Sequence, residues 1–307
     1  MKEDLFPFPL VSVVIPTYNH AFFLKKAISS VIAQTFKNFE LIIVDNKSTD
    51  ETDEVIKSFT DPRIKVLKVE NNGIIGLSRN FGIENSKGNW IAFLDSDDYW
   101  YEDRLEKIFF KSKNFTQYDV ISTNEISYNE ITGKKKKLYY GPLKDGDYRS
   151  LLLYGNRLSP SGTVVSKKFL QNQNLKFNEE EKFITVEDYD LWLNLSFNKA
   201  KFKFIKEVLG VYTIHESNNS KRNNLHKKNE INLYKKHIFE VQAFEQNKKK
   251  LWKNIKSVLK VKKALYFFKE REYITSLGFF TFGFFKSPIF IMKYLFMKIL
   301  FLTRNIL

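Results

Sequence analysis

The sequence predicts an α/β fold in which helices flank a mixed, mainly parallel sheet, and two observations carry this prediction. Over the first 100 residues, short apolar runs alternate with amphipathic stretches, which is the pattern of consecutive βαβ units. Each apolar run is followed by polar residues, as expected where parallel strands end at one edge of a sheet. The chain has 307 residues and 43% of them are hydrophobic, which is enough for two domains with buried cores.

Four strands are predicted in this part of the chain: Val11–Ile15, Glu40–Val44, Ile64–Val69 and Trp90–Leu94. The helices between them are predicted near Ala21–Ala33, Glu51–Phe59 and Ile75–Asn85, and a later helix is predicted near Val186–Phe197. Ser48 and Glu51 have the spacing of a capping box and predict the start of the second helix. The basic run Lys134–Lys137 is predicted to be an exposed hairpin or loop.

The net charge of +15 is distributed unevenly along the chain. Residues 222–307 contain 19 Lys and Arg against 5 Asp and Glu, whereas residues 1–221 contain 31 against 30. We therefore predict two domains, 1–221 and 222–307, the second being basic and helical from Leu225 to about Lys269. A basic region can indicate nucleic-acid binding, but its aromatic residues cluster in the apolar tail instead of alternating with Lys and Arg, so no nucleic-acid partner is predicted.

The tail Tyr273–Leu307 is predicted to be an amphipathic helix that lies in a membrane interface. Its longest run without charge has 13 residues, short of the roughly 18 that a membrane-spanning helix needs. At helical spacing Lys286, Lys293 and Arg304 fall on one stripe among apolar residues, and Lys298 interrupts the pattern. The alternative is a helix packed on the protein's own core or on a second copy.

The chain contains no cysteine, which excludes disulfides, cysteine zinc clusters and thiol nucleophiles and suits a reducing compartment. At the N-terminus Lys2, Glu3 and Asp4 precede only a short apolar stretch, which does not have the pattern of a secretory signal. Both observations favour a cytoplasmic location.

The polar residues at the strand ends indicate chemistry with phosphates. Neither the glycine fingerprint of dinucleotide-binding folds nor a P-loop is present. Asp95 and Asp97, separated by one residue at a strand end, are hard oxygen ligands that can hold Mg²⁺ or Mn²⁺ beside substrate phosphates. Taken alone, this pair is equally an acidic turn.

Five motifs occur together over residues 10 to 215: Val11–Asn19, Ile43–Asp50, Asn72–Gly82, Phe93–Asp98 and Glu187-Asp188. In their order and approximate spacing the chain resembles the family 2 glycosyltransferases, whose nucleotide-sugar-binding domain has the GT-A fold. The resemblance implies inverting transfer of a sugar from a nucleotide-diphosphate donor. An inverting enzyme makes a β-linked product from an α-linked donor in one displacement.

The resemblance also implies site residues for the donor. Asp45 matches the residue that accepts a hydrogen bond from the base, typically the N3–H of uracil, for which an acceptor-only carboxylate is suited. Thr17 and Asn19 match the loop along the nucleoside, and Asn72 and Arg79 match the region around the ribose and diphosphate. The complete implied donor-binding set is Pro16, Thr17, Asn19, Asp45, Asn72, Arg79, Asp95 and Ser96.

For catalysis, Asp188 matches the general base that takes the proton of the acceptor hydroxyl, although Thr185 and Asp188 could also cap the helix. Asp97 would hold the cation and Asp95 would lie by the ribose or the ion. Tyr212–His215 resembles a motif whose histidine can reach the ion, here His215, but Thr213 stands where the family usually has Arg. The other histidines, predicted in loops or on the surface, are His20, His226 and His237.

These implications make the chain an inverting, Mg²⁺- or Mn²⁺-dependent glycosyltransferase that uses a nucleotide sugar, with a UDP-sugar favoured. The acceptor would be a polyprenyl-diphosphate-linked glycan in surface polysaccharide synthesis. The basic tail would bind an anionic membrane surface and make the enzyme peripheral to the cytoplasmic face of a bacterial inner membrane. Two alternatives stay open: a nucleotidyltransferase with a related sheet and metal site, and a basic nucleic-acid-binding protein.

Overall fold

The computed structural model describes residues 10–111, 114–141, 147–216 and 223–304. The chain forms two compact units, the first made of Met1–Asp147 and Arg157–Asn229 and the second of Tyr148–Asn156 and Glu230–Leu307. The division predicted between residues 221 and 222 lies outside the described residues, and the division observed differs from it. It falls within a helix, at Asn229, and it assigns Tyr148–Asn156 to the second unit, although nothing in the composition separates that segment from its neighbours.

In the part of the first unit that the structure describes, nine strands form one sheet. They are β1 (Val11–Thr17), β2 (Phe39–Asp45), β3 (Ile64–Lys68), β4 (Trp90–Phe93), β5 (Tyr99–Trp100), β6 (Val120–Asn129), β7 (Lys135–Leu138), β8 (Thr163–Ser166) and β9 (Phe202–Ile214). Their order is β3-β2-β1-β4-β8-β6-β9-β5, and β7 pairs with β6. The first four strands are parallel to one another, and antiparallel pairs begin where β8 joins β4. The predicted mixed α/β sheet is confirmed.

Helices α1, α2, α3 and α7 follow the predicted positions closely, whereas α4, α5 and α6 were not predicted. They are α1 (Ala21–Ile32), α2 (Thr52–Lys57), α3 (Ile75–Glu84), α4 (Arg104–Glu106), α5 (Tyr148–Tyr154), α6 (Lys167–Asn172), α7 (Glu187–Phe197), α8 (Asn223–Lys236), α9 (Lys248–Lys269), α10 (Tyr273–Lys286) and α11 (Pro288–Arg304). The predicted capping box of α2 is wrong. Asp50 Oδ1 accepts the Thr52 N–H instead, while the Ser48 hydroxyl donates to Asp45.

The strands that carry the first motifs lie at the centre of the sheet. All seven residues of β1 are buried, as are six of the seven in β2, because helices cover both faces of a parallel sheet. On one face α1 buries Leu24, Ala27, Ile28 and Val31, at the spacing of an amphipathic helix. The loops that follow β1, β2 and β4 are therefore attached to rigid, fully packed strands.

The basic run Lys134–Lys137 is an exposed hairpin, as predicted. β7 pairs antiparallel with β6, and its three lysines are exposed. The turn between the strands contains Gly133 with φ +65°, a conformation that glycine adopts without strain. The hairpin lies outside the cavities described below.

The second unit is helical, and its core joins α9 to α11. Val258, Val261, Ile291 and Tyr294 form this core. The prediction of one continuous tail helix is wrong: α10 ends at Lys286 and α11 starts at Pro288, with a bend of 113° between them. Proline cannot donate the hydrogen bond that would continue α10, and it disfavours helical backbone at Ser287, which has φ −155°.

The predicted stripe of basic residues is consequently divided, because Lys286 belongs to α10 and Lys293 to α11. Lys298, which interrupts the predicted stripe, lies over the ring of the buried Tyr294. No single helix in the described ranges has both the length and the apolar character needed to cross a membrane. Among the helices of the described residues, only the bent pair Tyr273–Lys286 and Pro288–Leu300 reaches that level together.

Close approach of α3 to the sheet requires glycine at position 82. A Cβ at this position would overlap the Val14 side chain and lie 3.3 Å from Val44 Cγ2. We expect Gly82→Ala to lower the free energy of unfolding of the first unit by about 1–3 kcal/mol, the usual cost of overpacking. Urea denaturation followed by tryptophan fluorescence measures this change.

The matched control is Gly278→Ala, because Gly278 also lies within a helix but has open space where the added methyl group would lie. This variant should leave the unfolding of the first unit unchanged. Equal midpoints for Gly82→Ala and the unmodified protein would contradict the prediction.

Candidate active site

Loops after β1, β2, β3 and β4 enclose a cavity of about 640 Å³ at the carboxyl edge of the sheet. Five of the predicted donor-binding residues line it: Pro16, Thr17, Asn19, Asn72 and Ser96. The other lining residues are Tyr18, His20, Asn46, Lys47, Glu70, Asn71, Gly73, Ile75 and Ser78. Most of these groups are polar, so the cavity suits a polar ligand with many hydrogen-bonding atoms.

Side chains connect the loops after β1 and β2. Asn19 has φ +49°, and its side-chain Oδ1 accepts the Thr49 N–H at 2.8 Å. The Asn19 N–H donates to Ser48 Oγ at 2.9 Å, and the Ser48 hydroxyl donates to Asp45 Oδ1 at 2.6 Å. Asn tolerates this left-handed backbone better than most residues. Asn19 therefore shapes the loop that lines the cavity.

Asp45 ends β2 fully buried, beside Thr17 in the register of the sheet. Its Oδ1 accepts two hydrogen bonds from Ser48, but its Oδ2 accepts none within the described residues, and Lys68 Nζ is 3.9 Å away. Thr17 Oγ1 is also buried without a hydrogen-bond partner in the described part of the chain. Buried polar atoms without partners are costly, so a ligand that donates a hydrogen bond here would be favoured.

A second cavity of about 250 Å³ adjoins the first and shares with it Pro16, His20, Gly73, Ile75 and Ser96. It brings together the predicted residues Arg79, Asp95, Asp97 and Asp188. Asp188 reaches it from the first turn of α7, and Asp95 and Asp97 reach it from the loop after β4. The structure thus brings the predicted base and two of the three predicted metal ligands, Asp95 and Asp97, around one space, while His215 does not line it.

Arg79 connects the two walls of this cavity. It is buried, and its Nη2 donates to Asp95 Oδ1 at 2.7 Å while its Nη1 donates to Glu187 Oε1 at 2.8 Å. Burial opposes the charge of Arg79, but the carboxylates of Asp95, Glu187 and Asp188 outweigh that effect and raise its pKa above the usual value. The sequence predicts that Arg79 contacts the donor. In the structure Arg79 lines the second cavity, and its two terminal nitrogens join the loop after β4 to the start of α7.

Asp188 has the electrostatic environment of a general base. Burial and the neighbouring Glu187 carboxylate raise the pKa of Asp188 to about 7, against the opposing charge of Arg79. A carboxylate with this pKa is ionised above neutral pH and can accept a proton efficiently. The alternative cap by Thr185 is not formed, because α7 begins after Val186 without a side-chain cap and Thr185 Oγ1 lies 3.2 Å from His226 Nδ1.

Asp97 and His215 form a pair beside Asp95. His215 is nearly buried, and a hydrogen bond of 2.9 Å joins its Nε2 to Asp97 Oδ2. Within the described residues, no three His, Cys, Asp or Glu side chains are grouped to hold a metal ion by themselves. Mg²⁺ and Mn²⁺ commonly take one or two protein carboxylates and complete their shells with phosphate oxygens and water, so Asp97 fits such an ion when a diphosphate is present.

Asp98, the next residue, anchors the loop after β4 from behind. Its Oδ2 accepts the Ser161 hydroxyl at 2.5 Å and its Oδ1 accepts the Thr213 N–H at 2.8 Å. Ser161 Oγ in turn accepts the Asp95 N–H at 3.1 Å. The Thr213 N–H, and not its side chain, makes the contact with Asp98, so the contact does not require the Arg that the resembled family usually has at this position. The loop after β4 is thereby attached to β9 next to His215.

Sequence reasoning missed several residues of the site. His20 lines both cavities and its Nδ1 lies 2.9 Å from Ser96 Oγ, and His226 lines the second cavity. His20 lies in the loop between β1 and α1, as predicted, whereas the prediction is corrected for His226, which is half-buried in α8, and for His237, which is fully buried against Tyr148. The position of His20 directly after the first motif was the available signal. For His226, about 40 residues from Thr185 along the chain, no local signal existed.

The chain matches the model of "Glycosyl transferase family 2" over residues 12–171. It is similar to the Escherichia coli proteins WfaP, with 31% identity over 67% of this chain and 78% of the relative, and WfgD, with 35% over 61% and 69%. Both are named UDP-Glc:alpha-D-GlcNAc-diphosphoundecaprenol beta-1,3-glucosyltransferases.

Two solved structures share the fold. S. aureus TarS 1–349 in complex with UDP-GlcNAc has a TM-score of 0.65 at 20% identity, covering 89% of this chain and 81% of that one. The mannosyltransferase PcManGT from Pyrobaculum calidifontis, in complex with GDP-Man and Mn²⁺, has a TM-score of 0.58 at 14% identity, covering 90% and 76%. The predicted GT-A fold is confirmed, and with the family match the chain belongs to glycosyltransferase family 2.

Proposed function

We propose that the chain transfers a sugar, with inversion, from a UDP-sugar to a hydroxyl of a lipid-linked glycan. The observation that carries this proposal is the position of Asp188. Its pKa is raised to about 7, and its side chain lines the same cavity as Asp97. That cavity adjoins the larger one at the strand ends, which suits a nucleotide. A base beside the diphosphate site, with a nucleotide site next to both, is what a single displacement requires.

In this reaction the Asp188 carboxylate accepts the proton of the acceptor hydroxyl. The hydroxyl oxygen forms a bond to the anomeric carbon while the bond from that carbon to the diphosphate oxygen breaks. The electron pair of the broken bond leaves with the nucleoside diphosphate, so the anomeric centre inverts. Arg79 positions Asp188 by holding its neighbour Glu187 against Asp95. The β linkage in the names of WfaP and WfgD is the product that inversion of an α-linked donor gives.

For the donor, Asp45 Oδ2 and Thr17 Oγ1 are the buried atoms that a base can satisfy. The N3–H of uracil is a donor suited to a carboxylate acceptor. The fold relative TarS binds UDP-GlcNAc, and both Escherichia coli relatives are named for UDP-Glc, which supports a uridine donor here. Asn72 and Ser96 in the same cavity would lie along the ribose and diphosphate.

We further propose that Mg²⁺ or Mn²⁺ acts at Asp97, with Asp95 and His215 beside it. When bound, such an ion neutralises the charge that develops on the leaving diphosphate. Asp97 faces the second cavity, and His215 orients its carboxylate through the 2.9 Å hydrogen bond. The Mn²⁺ in the PcManGT structure supports this assignment.

The acceptor proposed is a polyprenyl-diphosphate-linked glycan for a surface polysaccharide. The names of WfaP and WfgD specify such an acceptor for those proteins. Residues 222–307 contain 19 basic and 5 acidic residues, which favours a location at an anionic membrane surface. We propose that this surface is the cytoplasmic face of a bacterial inner membrane.

We expect Asp188→Asn to reduce transfer by about 10²–10⁴-fold, the usual contribution of a general base, with UDP binding retained. Transfer is measured as UDP release in the presence of a lipid-linked acceptor. In the unmodified protein the rate should fall about tenfold per pH unit below pH 7, because the raised pKa leaves Asp188 protonated there.

The matched control is Glu181→Gln, which removes an exposed carboxylate six residues before α7 and should leave transfer unchanged. Asp188→Asn should also be at least as stable as the original at pH 8. The folded state binds a proton at Asp188 more tightly than the unfolded state does. The free energy of unfolding that Asp188 contributes is therefore lost as pH rises from about 4 to about 7. A flat pH profile from 5.5 to 8, or full transfer by the variant, would remove Asp188 from this role.

Asp45→Asn tests the base of the donor. The amide keeps an oxygen for the Ser48 hydrogen bonds but places an NH₂ donor where Asp45 Oδ2 lies. We expect UDP affinity to fall by about tenfold or more, the loss expected when two donors face each other in a buried site. CDP, whose N3 is an acceptor, should lose much less. Calorimetric titration measures both, and equal losses for UDP and CDP would contradict base recognition by Asp45.

Asp97→Ala tests the cation. We expect it to weaken UDP binding in Mn²⁺ while leaving binding in chelator unchanged, because the carboxylate acts on the diphosphate only through the ion. The same calorimetric titration is run with Mn²⁺ and with EDTA for each protein. UDP affinity of the unmodified chain that is identical in Mn²⁺ and in EDTA would contradict the proposal.

A further inference from the structure

The outward faces of α10 and α11 carry exposed apolar side chains. Their inward faces carry small residues and side chains that pack on the core of the second unit. Ile274, Leu277 and Phe285 recur on one side of α10 and are exposed by 91%, 63% and 77%. The opposite side contains Ser276, whose hydroxyl donates to Ala264 O, and Gly283, where an added Cβ would lie 2.9 Å from Ser257 O. Phe280 and Phe284 also pack on the core, so the large apolar side chains that face outward are additional to those that hold α10 in place.

α11 repeats this arrangement. Its exposed apolar residues are Ile289, Met292, Phe296 and Ile299, which follow one another at i, i+3, i+7 and i+10 and so form one stripe. Its inward side buries Ile291 and Tyr294 against Val258 and Val261. A contiguous exposed apolar surface of this kind marks a binding surface. We call the exposed sides of the two helices the apolar face.

A basic cavity of about 450 Å³ lies at the bend between the two helices, entirely within the second unit. Its basic residues are Arg149, Lys250, Lys253, Lys286 and Lys293, against one acidic residue, Glu245. Apolar residues complete the lining, among them Ile289 of the apolar face. The Arg149 guanidinium lies 5.1 Å from the centre of the Phe244 ring, which restricts its orientation.

A cavity with five cations and one carboxylate attracts an anion, and its apolar neighbours indicate an anion attached to a hydrocarbon. The phosphate of an anionic phospholipid combines these two chemistries, because its headgroup carries the charge and its chains bury apolar side chains. A second copy of the chain is disfavoured as the occupant, since both copies would present the same excess of basic residues.

We propose that the apolar face inserts into the interface of an anionic bilayer and that the cavity at the α10–α11 bend binds the phosphate of a phospholipid. This deepens the membrane location in the proposed function by naming the surface and its lipid ligand. Lys286 and Lys293 flank the inserted residues, and Arg149 supplies a planar group that can donate two hydrogen bonds to one phosphate.

The first experiment measures sedimentation of the full chain with vesicles of phosphatidylcholine containing phosphatidylglycerol. Lys286→Gln/Lys293→Gln should weaken binding roughly 25-fold, since each lysine at an anionic surface contributes about 1 kcal/mol. The matched control is Lys235→Gln/Lys249→Gln, which removes the same charge from exposed lysines of the same unit outside the cavity. The control should lose less than about threefold, because neither lysine lines the cavity that is proposed to bind the phosphate. Equal losses of vesicle binding in the two variants would contradict phosphate binding in the cavity.

The second experiment separates phosphate recognition from general charge attraction. Vesicles of phosphatidylcholine receive the same negative charge from oleate, whose headgroup is a carboxylate. Phosphatidylglycerol vesicles should bind more tightly than oleate vesicles, and Arg149→Gln should abolish this preference. Inorganic phosphate at millimolar concentration should compete only weakly, because it lacks the hydrocarbon. Equal binding to both vesicle types would overturn the phosphate site, and full competition by inorganic phosphate would overturn the lipid as its source.

The third experiment tests the apolar face with Phe285→Ser, with Ile231→Ser, a partly exposed residue of α8, as its control. Only Phe285→Ser should weaken vesicle binding. A different result would identify a second copy of the chain as the occupant of the apolar face. In that case the unmodified chain would have a doubled mass in solution, Phe285→Ser would restore the single mass, and the unmodified chain would not bind vesicles.

UDP titration of each variant keeps the proposed function separate. Vesicle binding without UDP binding would defeat the enzyme proposal alone, and UDP binding without vesicle binding would defeat the lipid site alone.

Discussion

The site depends on one buried charge, the guanidinium of Arg79. A buried cation must be paired, and the two carboxylates that pair with it come from the loop after β4 and from the start of α7. Glu187 is 108 residues from Arg79 in the chain. The requirement to satisfy Arg79 therefore draws α7 onto the edge of the sheet and positions Asp188 beside the Asp95 loop. The ion pairs of Arg79 therefore stabilise the first unit and assemble its site at the same time.

The distribution of partners explains the chemistry of the remaining groups. Arg79 pairs with Asp95 and Glu187, so Asp188 experiences burial and a neighbouring like charge more strongly than the cation, and its pKa rises to about 7. At the other end of the site, Asp45 Oδ2 and Thr17 Oγ1 are buried without hydrogen bonds in the described structure. Such groups cost stability, and the buried apolar residues of β1 and β2 offset that cost.

The two units expose different kinds of surface to their surroundings. The first buries its apolar residues in a sheet covered by helices and presents polar loops to the ligand. In the second, α10 and α11 pack through serine, glycine and a few core residues and present phenylalanine, isoleucine and methionine outward. The bend that Pro288 imposes at Ser287 gathers Lys286 and Lys293 around one cavity instead of spacing them along a single helix. A bilayer surface matches this combination of charge and apolar area.

The sequence by itself determined the first four strands, the helices between them, α7 and the polar residues at the strand ends, because periodicity and the grouping of parallel strand ends are local or topological rules. It also placed Asp97 and Asp188 as candidates for one site. Tertiary structure decided the rest: the partners of Arg79, the roles of His20 and His226, the use of Asp50 in place of the predicted capping box, and the inclusion of Tyr148–Asn156 in the second unit. These features depend on which distant residues meet when the chain packs, and no pattern along a short stretch of sequence records those meetings.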